Sequence, residues 1–373
     1  MDPVSILRRL VAVDSTSSRS NRPLVDLLEE VVLPLGFEAR RIEWRDPEGV
    51  EKLNLVCRRG PDVAGGLALV GHTDCVPFDP QWEEALSGEV RDGKVFGRGA
   101  ADTKGFIAAA LSAAAATRAM SGPLHLVFTA DEEIGCRGAK VLVSEGRLRP
   151  RHAIVGEPTL LEPVRAHKGY CGLDVLVTGV EGHSAFPDLG ASAIHAAARL
   201  VTEVVDRIQE ELKEEQDPDF SPPWTTFNVG VIHGGKARNI LAGECTFTLE
   251  WRPLPSQDPE RALRLLDAAC ERAEAAQGGR IAIRRTPMRV DEAAMTPPDA
   301  SIVRFLEAES GRAAGTIAFG TELPSLLAMG AEACVFGPGD IRVAHRTGEF
   351  VEVEQLERCA RILGRAIERF CGT

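Results

Sequence analysis

The sequence predicts an α/β protein: a mixed, mostly parallel sheet with helices on its faces, interrupted by an inserted ferredoxin-like α+β domain. Three observations predict it. Short apolar runs alternate with helical patterns over the first part of the chain, as in sheets whose crossovers are helices. Near Gly169 the order changes to β-α-β-β-α-β, the split βαβ arrangement. After about residue 298 the first style resumes. The 373 residues also exceed one ordinary core and suit two domains. The boundaries are set at 1–168, 169–289 and 290–373, with the first and last segments forming one domain.

Each element has its own signal. Asp2–Val13 reads as a helix, with Asp2 at the N-cap and Pro3 at the first helical position. Leu24–Leu35 is a second, with Leu24, Leu27, Leu28, Val31 and Val32 on one face. Leu53–Cys57 and Gly66–Val70 look like buried strands. Ala108–Ala119 is an alanine-rich helix former. Leu124–Ala130 and Ala153–Val155 are further strands. In the inserted domain, Cys171–Thr178 alternates as a strand and Ala191–Leu212 is a long amphipathic helix. Thr225–Ile232 and Cys245–Trp251 are strands, Pro259–Ala275 a helix and Arg280–Arg285 a last strand. Asp291–Pro298 is loop-like. Helix Ala300–Ser310, strand Ala333–Phe336 and helix Val353–Phe370 complete the first domain.

Composition narrows the function. Hydrophobic residues make up 44% and charged residues 26%, a globular profile. The net charge of −12 argues against nucleic acid, which needs basic patches to replace counterions. No run reaches the ~20 apolar residues of a membrane span, and Met1–Val13 carries no long apolar segment of a secretory signal. The nine cysteines are dispersed without a Cys-x-x-Cys, which reads as reduced thiols in a cytosolic protein.

Four apolar runs end in residues of metal-binding type. Leu67–Val70 leads to Gly71-His72-Thr73-Asp74, and Leu124–Ala130 to Asp131-Glu132-Glu133. Ala153–Val155 leads to Gly156-Glu157-Pro158, and Ala333–Phe336 through Gly337-Pro338-Gly339 to His345. Ligands of open α/β sheets collect at the carboxyl ends of strands, so these residues belong on one rim. Asp102, in the glycine-containing segment before the alanine-rich helix, joins them and gains from the helix N-terminus. His72, Asp102, Glu133, Glu157 and His345 are too many ligands for one metal. They suit two ions about 3.5–4 Å apart with one carboxylate bridging. Charge agrees, because Asp102, Glu132, Glu133 and Glu157 bring −4 that two divalent ions would balance. Neighbours in an extended segment point apart, so Glu132 and Glu133 must divide their roles. Glu133 is assigned as ligand and Glu132 as general base. Asp74 is expected to orient His72.

Taken singly, these motifs are ordinary. A His-x-Asp is usually a turn or surface pair, a Glu-Glu a solvated loop and a Gly-Glu-Pro a turn; their combination at strand ends carries the reading. Gly230-x-x-x-x-Gly235-Lys236 imitates a phosphate loop, but Ala237 stands where Ser or Thr is needed. There is no Gly-x-Ser-x-Gly elbow.

With these residues in place, the chain resembles the dinuclear-zinc aminoacylase and carboxypeptidase family of metallopeptidases. The matching segments are Gly71–Asp74, Gly99–Gly105, Thr129–Glu133, Gly156–Thr159, Arg165–Gly169, Gly182-His183-Ser184, Ile232–Gly235, Arg252–Pro255 and Gly337–Gly339. The resemblance implies His72 and Glu157 on one zinc, Glu133 and His345 on the other, Asp102 bridging and Glu132 as base. Cobalt is the alternative metal. It also implies a cis peptide after Asp102, and an inserted lid that pairs two subunits as a homodimer. His183 would then reach the neighbouring site and stabilise the oxyanion. The implied substrate is a small N-acyl amino acid. The segments Arg165–Gly169, Ile232–Gly235 and Arg252–Pro255 favour Nα-acetyl-L-ornithine. Arg252 and Asn239 would take its carboxylate and Glu322 its ammonium. Succinyl-diaminopimelate, acetylcitrulline, other acyl amino acids and dipeptides are the enzymatic alternatives. A catalytically inactive binding homologue is the other, and the intact set of Glu132 with five ligands argues against it.

Overall fold

The computed structural model describes residues 1–117, 120–258 and 260–372. The helix ends expected at Ala119 and Pro259 lie outside the described residues. The chain forms two compact units. The first comprises Met1–Ala166, Met295–Gly315 and the chain from Thr321 onward; the second comprises His167–Ala294 and Thr316–Gly320. The segment Thr316–Gly320 was expected with the returning part of the first domain and groups instead with the second unit.

The large sheet runs in the order Glu38–Arg45, Glu51–Arg59, Leu124–Thr129, Leu67–His72, His152–Val155, Glu332–Val335, Val164–His167. The four strands from Leu124–Thr129 to Glu332–Val335 are mutually parallel. The flanking pairings are antiparallel. The sheet is therefore mixed, and the expected parallel character belongs to its centre alone. The outer strand Glu38–Arg45 carries Glu38, Arg40, Arg41, Glu43 and Arg45 and is only partly buried, so it shows no apolar run to read. The central strands Leu67–His72, Leu124–Thr129 and His152–Val155 are buried throughout, as strands covered on both faces must be.

Helices close over this sheet. Pro3–Val11 starts as its sequence indicates, with the Asp2 carboxylate accepting from the N–H groups of Val4 and Ser5 at 3.2 and 2.9 Å. The terminal helix Val353–Cys371 buries Leu356, Cys359, Leu363, Ala366 and Ile367 on one stripe. Lys104–Ala116 comes close to the sheet at two glycines. A Cβ at Gly156 would stand 2.2 Å from the Phe106 ring, and one at Gly71 only 2.9 Å from Ile107. The absence of side chains at Gly71 and Gly156 lets this helix approach the strand ends. The helix N-terminus, and Asp102 before it, thereby reach the rim.

The second unit has a four-stranded antiparallel sheet in the order Thr226–Gly234, Glu244–Arg252, Tyr170–Thr178, Ala282–Asp291. Its helices are Arg261–Ala275 and the run from Ala193 to Leu212, whose turns Glu203–Ile208 are widened to π geometry. Val175, Val177, Leu200, Phe247, Leu249 and Leu266 form its core. All nine cysteines are buried. Among the described residues no helix is long and apolar enough to cross a membrane.

Candidate metal centre

The four parallel strands are the four that end in the expected donors. His72 is the last residue of Leu67–His72, Glu132 and Glu133 follow Leu124–Thr129, and Glu157 follows His152–Val155. His345 lies ten residues beyond Glu332–Val335 and has a left-handed backbone, φ 59°. The register keeps these ends level, with His72 opposite Thr129 and Val155 opposite both Val70 and Val335.

Asp102 sits between the two histidines. Its Oδ1 lies 2.9 Å from His72 Nε2 and its Oδ2 3.2 Å from His345 Nε2. His345 Nε2 is also 3.1 Å from Glu133 Oε1. The Asp102–Thr103 peptide is cis, as the resemblance implied. His72 Nδ1 donates to the backbone carbonyl of Asp74 at 2.9 Å, which leaves Nε2 as the coordinating atom.

Asp74 was expected to orient His72. Its carbonyl orients His72, while its carboxylate stands 3.7 Å from Nδ1. The carboxylate instead accepts from the backbone N–H groups of Glu132 and Glu133 at 3.1 and 3.3 Å, and from the Ser17 hydroxyl at 2.8 Å. Glu132 and Glu133 fall in different donor groups, and their backbone is not extended. They sit in a turn that opens at Asp131, φ 58°. Asp131 is buried in an ion pair with Lys52 at 2.8 Å.

Two donor groups result. His72, Asp102 and Glu133 each offer a ligand atom within 4.8 Å of the others, and so do His72, Glu132 and Glu157. Glu132 thus stands among possible ligands, and its part as base rests on the reading of the motif. The electrostatics call for cations. Burial, then the neighbouring Asp102 charge, pushes the Glu133 and Glu157 carboxyls above the usual range. Burial does the same to Glu132, against the pull of His72. Burial also opposes charge on Asp102, yet His345 and His72 hold its carboxyl well below the usual range. Asp102 and Glu133 raise His345 to about 10. Buried carboxyls that resist ionisation, crowded against the buried His72 imidazole and the half-exposed His345 imidazole, fit divalent ions.

The remaining expected residues are not all brought to this cluster. Glu322 lies in the same unit, at the start of helix Leu323–Ala328, and is 1% exposed. Burial pushes its carboxyl up to about 7. His183, Asn239 and Arg252 belong to the second unit. His183 is exposed on the short strand Gly182–His183, paired with Ile240–Leu241. Its Nδ1 accepts from the Ala185 N–H at 3.1 Å, which places the ring proton on Nε2. Asn239 uses its carbonyl to accept from Ser184 N–H at 3.1 Å. Arg252 stacks on Tyr170.

Sequence reasoning missed Glu349 and Arg98. Glu349 is fully buried, and its Oε1 accepts from the N–H groups of Ala101 and Asp102 at 3.0 and 3.1 Å. Its Oε2 pairs with Arg98 at 2.5 Å. A single glutamate four residues after His345 carries no motif of its own. The available signal was Arg98, an arginine enclosed by glycines just before Asp102.

A mixed α/β sheet that gathers two histidines and several carboxylates at its strand ends, which divalent ions would balance, together with the family and relatives below, makes the chain a metal-dependent amide hydrolase. Residues 68–369 match the family described as Peptidase family M20/M25/M40, and the chain belongs to that family. It is 52% identical over 371 residues to an acetylornithine deacetylase of Myxococcus xanthus, covering 98% of this chain and 97% of that one. It is 34% identical over 382 residues to an acetylornithine deacetylase of Proteus mirabilis, covering 99% and 96%. Its fold is similar to a tripeptidase of Staphylococcus aureus, with a TM-score of 0.80 at 23% identity over 99% and 97% of the two chains. It is also similar to a dinuclear metal binding peptidase of Bacillus subtilis, with a TM-score of 0.68 at 11% identity over 98% and 96%.

Proposed function

We propose that the chain hydrolyses N2-acetyl-L-ornithine to L-ornithine and acetate, as a cytoplasmic homodimer with two divalent metal ions in each copy. The observation that carries this reading is the 52% identity along nearly the whole length of a deacetylase of that substrate, with every expected donor intact. Residues 1–168 and 290–373, apart from Thr316–Gly320, would form the catalytic domain, and 169–289 a ferredoxin-like lid that pairs two copies. In support, among the described residues the outer strand Thr226–Gly234 is paired on one side only, and it exposes Val231 and Ile232.

His72 and Glu157 would hold one ion and Glu133 and His345 the other, with Asp102 between. Zinc, or cobalt in its place, would polarise the amide carbonyl and acidify the attacking water. Glu132 takes the proton of that water and passes it to the departing nitrogen. Asp74 keeps Glu132 and Glu133 in place through their N–H groups. His183 of a second copy donates Nε2–H to the oxygen that gains charge. Arg252 and Asn239 take the α-carboxylate, and Glu322 takes the side-chain ammonium.

The test is a panel of acetylornithine, acetylcitrulline, acetylmethionine and succinyl-diaminopimelate, assayed with zinc or cobalt restored. Acetylornithine should have the highest kcat/KM, and a higher value for any other member overturns the assignment. E322Q should lower kcat/KM for acetylornithine more than for neutral acetylcitrulline. Equal effects remove Glu322 from substrate recognition.

A further inference from the structure

The residues around Arg252 carry a second layer of this reading. Tyr170, the one tyrosine in the sequence, begins the strand Tyr170–Thr178. Its ring turns back over Gly172, where a Cβ would stand 3.2 Å from Oη and 3.4 Å from the ring. On the adjacent strands, Glu250 and Arg289 are both opposite Gly172. The Arg252 guanidinium carbon lies 4.4 Å from the Tyr170 ring centroid, and that of Arg289 lies 5.3 Å from it. One ring therefore meets two cations.

The two arginines differ in what else holds them. Arg289 is tied to Asp291. Arg252 has Glu250 at 3.8 Å, beyond hydrogen-bonding reach, and its side chain makes no hydrogen bond to another described residue. A guanidinium fixed by a ring face keeps its fork of N–H donors free, in the plane that a carboxylate meets with two parallel hydrogen bonds. Arg289 adds positive charge on the same ring.

We infer that Tyr170 is a positioning residue that holds Arg252 as a preformed fork for the α-carboxylate of the substrate. The inference rests on Arg252 reading that carboxylate. Without the ring, the half-buried arginine would swing toward Glu250 and lose both its orientation and part of its free charge.

The experiment compares acetylornithine with its carboxamide analogue, Nα-acetylornithinamide, in wild type, Y170A, Y170F, R252A and the double variant Y170A/R252A. Y170A should raise KM for acetylornithine about threefold to thirtyfold, the range of a cation–π contact, and leave the carboxamide much less affected. Y170F keeps the ring and should restore most of the loss. The double variant should be no worse than R252A. A KM increase equal for both substrates, or additive penalties in the double variant, overturns the inference and leaves Arg252 as carboxylate reader. If R252A itself does not distinguish carboxylate from carboxamide, the reading of Arg252 falls and the inference falls with it. Circular dichroism of Y170A, with Y170F as the folded control, separates a lost fold from a lost fork.

Discussion

The Glu349 carboxylate accepts a hydrogen bond from the backbone N–H of Asp102 at 3.1 Å. The same oxygen takes the Ala101 N–H, and the other oxygen pairs with Arg98. Because Glu349 is four residues from His345, one side chain ties the His345 loop to the backbone that presents Asp102. E349Q should therefore weaken metal retention about tenfold to a hundredfold, the usual effect of disturbing a group that orients a ligand. Metal content after dialysis against a graded chelator measures it. Retention equal to wild type would show that the tie is dispensable.

Glu132 should separate chemistry from metal binding. E132Q keeps the shape of the side chain but cannot accept a proton. The expected loss is about 10²–10⁴ in kcat, with metal content unchanged. Metal lost in proportion to activity would place Glu132 among the ligands, as its proximity to His72 and Glu157 permits.

Asp74 should matter through its carboxylate. In D74N one of the two oxygens that now accept from Glu132 N–H, Glu133 N–H and Ser17 becomes a donor. Donor then faces donor, and the turn must shift. A fall of about tenfold to a hundredfold in kcat/KM is expected, read beside S17A, which removes one hydroxyl donor and should cost less. Equal effects of the two variants would deny the carboxylate this role.

His125 offers a pH prediction away from the centre. It is 8% exposed in the strand Leu124–Thr129, and its Nδ1 is buried without a hydrogen bond. Burial lowers its pKa from 6.5 to about 4. The folded pKa lies below the unfolded one, so the unfolded chain binds the extra proton between these values. The stabilising effect of keeping His125 neutral is complete above about pH 6.5 and is lost as pH falls toward 4, at about 1.4 kcal/mol per unit. H125L should flatten the decline of Tm between pH 7 and pH 5, and an unaltered decline would rule the residue out as a source of acid sensitivity.

Much of this was legible in the sequence because parallel strands write themselves as apolar runs. Leu67–Val70 and Leu124–Ala130 pointed to their strands and, at their ends, to His72 and Glu132. The antiparallel edge Glu38–Arg45 was hidden because charge on a solvent-facing strand resembles a loop. The turn that carries Glu132 and Glu133 was read as extended, since a left-handed Asp131 held by Lys52 leaves no local pattern. Glu349 was hidden for a similar reason. It acts on backbone N–H groups nearly 250 positions away, and contacts of that range have no period or spacing.

The strand Glu332–Val335 lies between His152–Val155 and Val164–His167, although the whole second unit separates it from them in the chain. During synthesis the central sheet must therefore wait with a slot open while more than a hundred residues emerge. The segments bearing His72, Asp102 and Glu157 exist before the slot is filled, whereas His345 follows the strand that fills it. The middle of the first unit's sheet is thus filled late in the chain, with only Phe350–Glu352 and the helix Val353–Cys371 still to follow, and pairing across so long a sequence separation belongs to the contacts that favour slower folding. A ribosome-stalled chain ending before residue 332 should hold four of the five proposed ligands, lacking only His345, and an unguarded pair of strand edges.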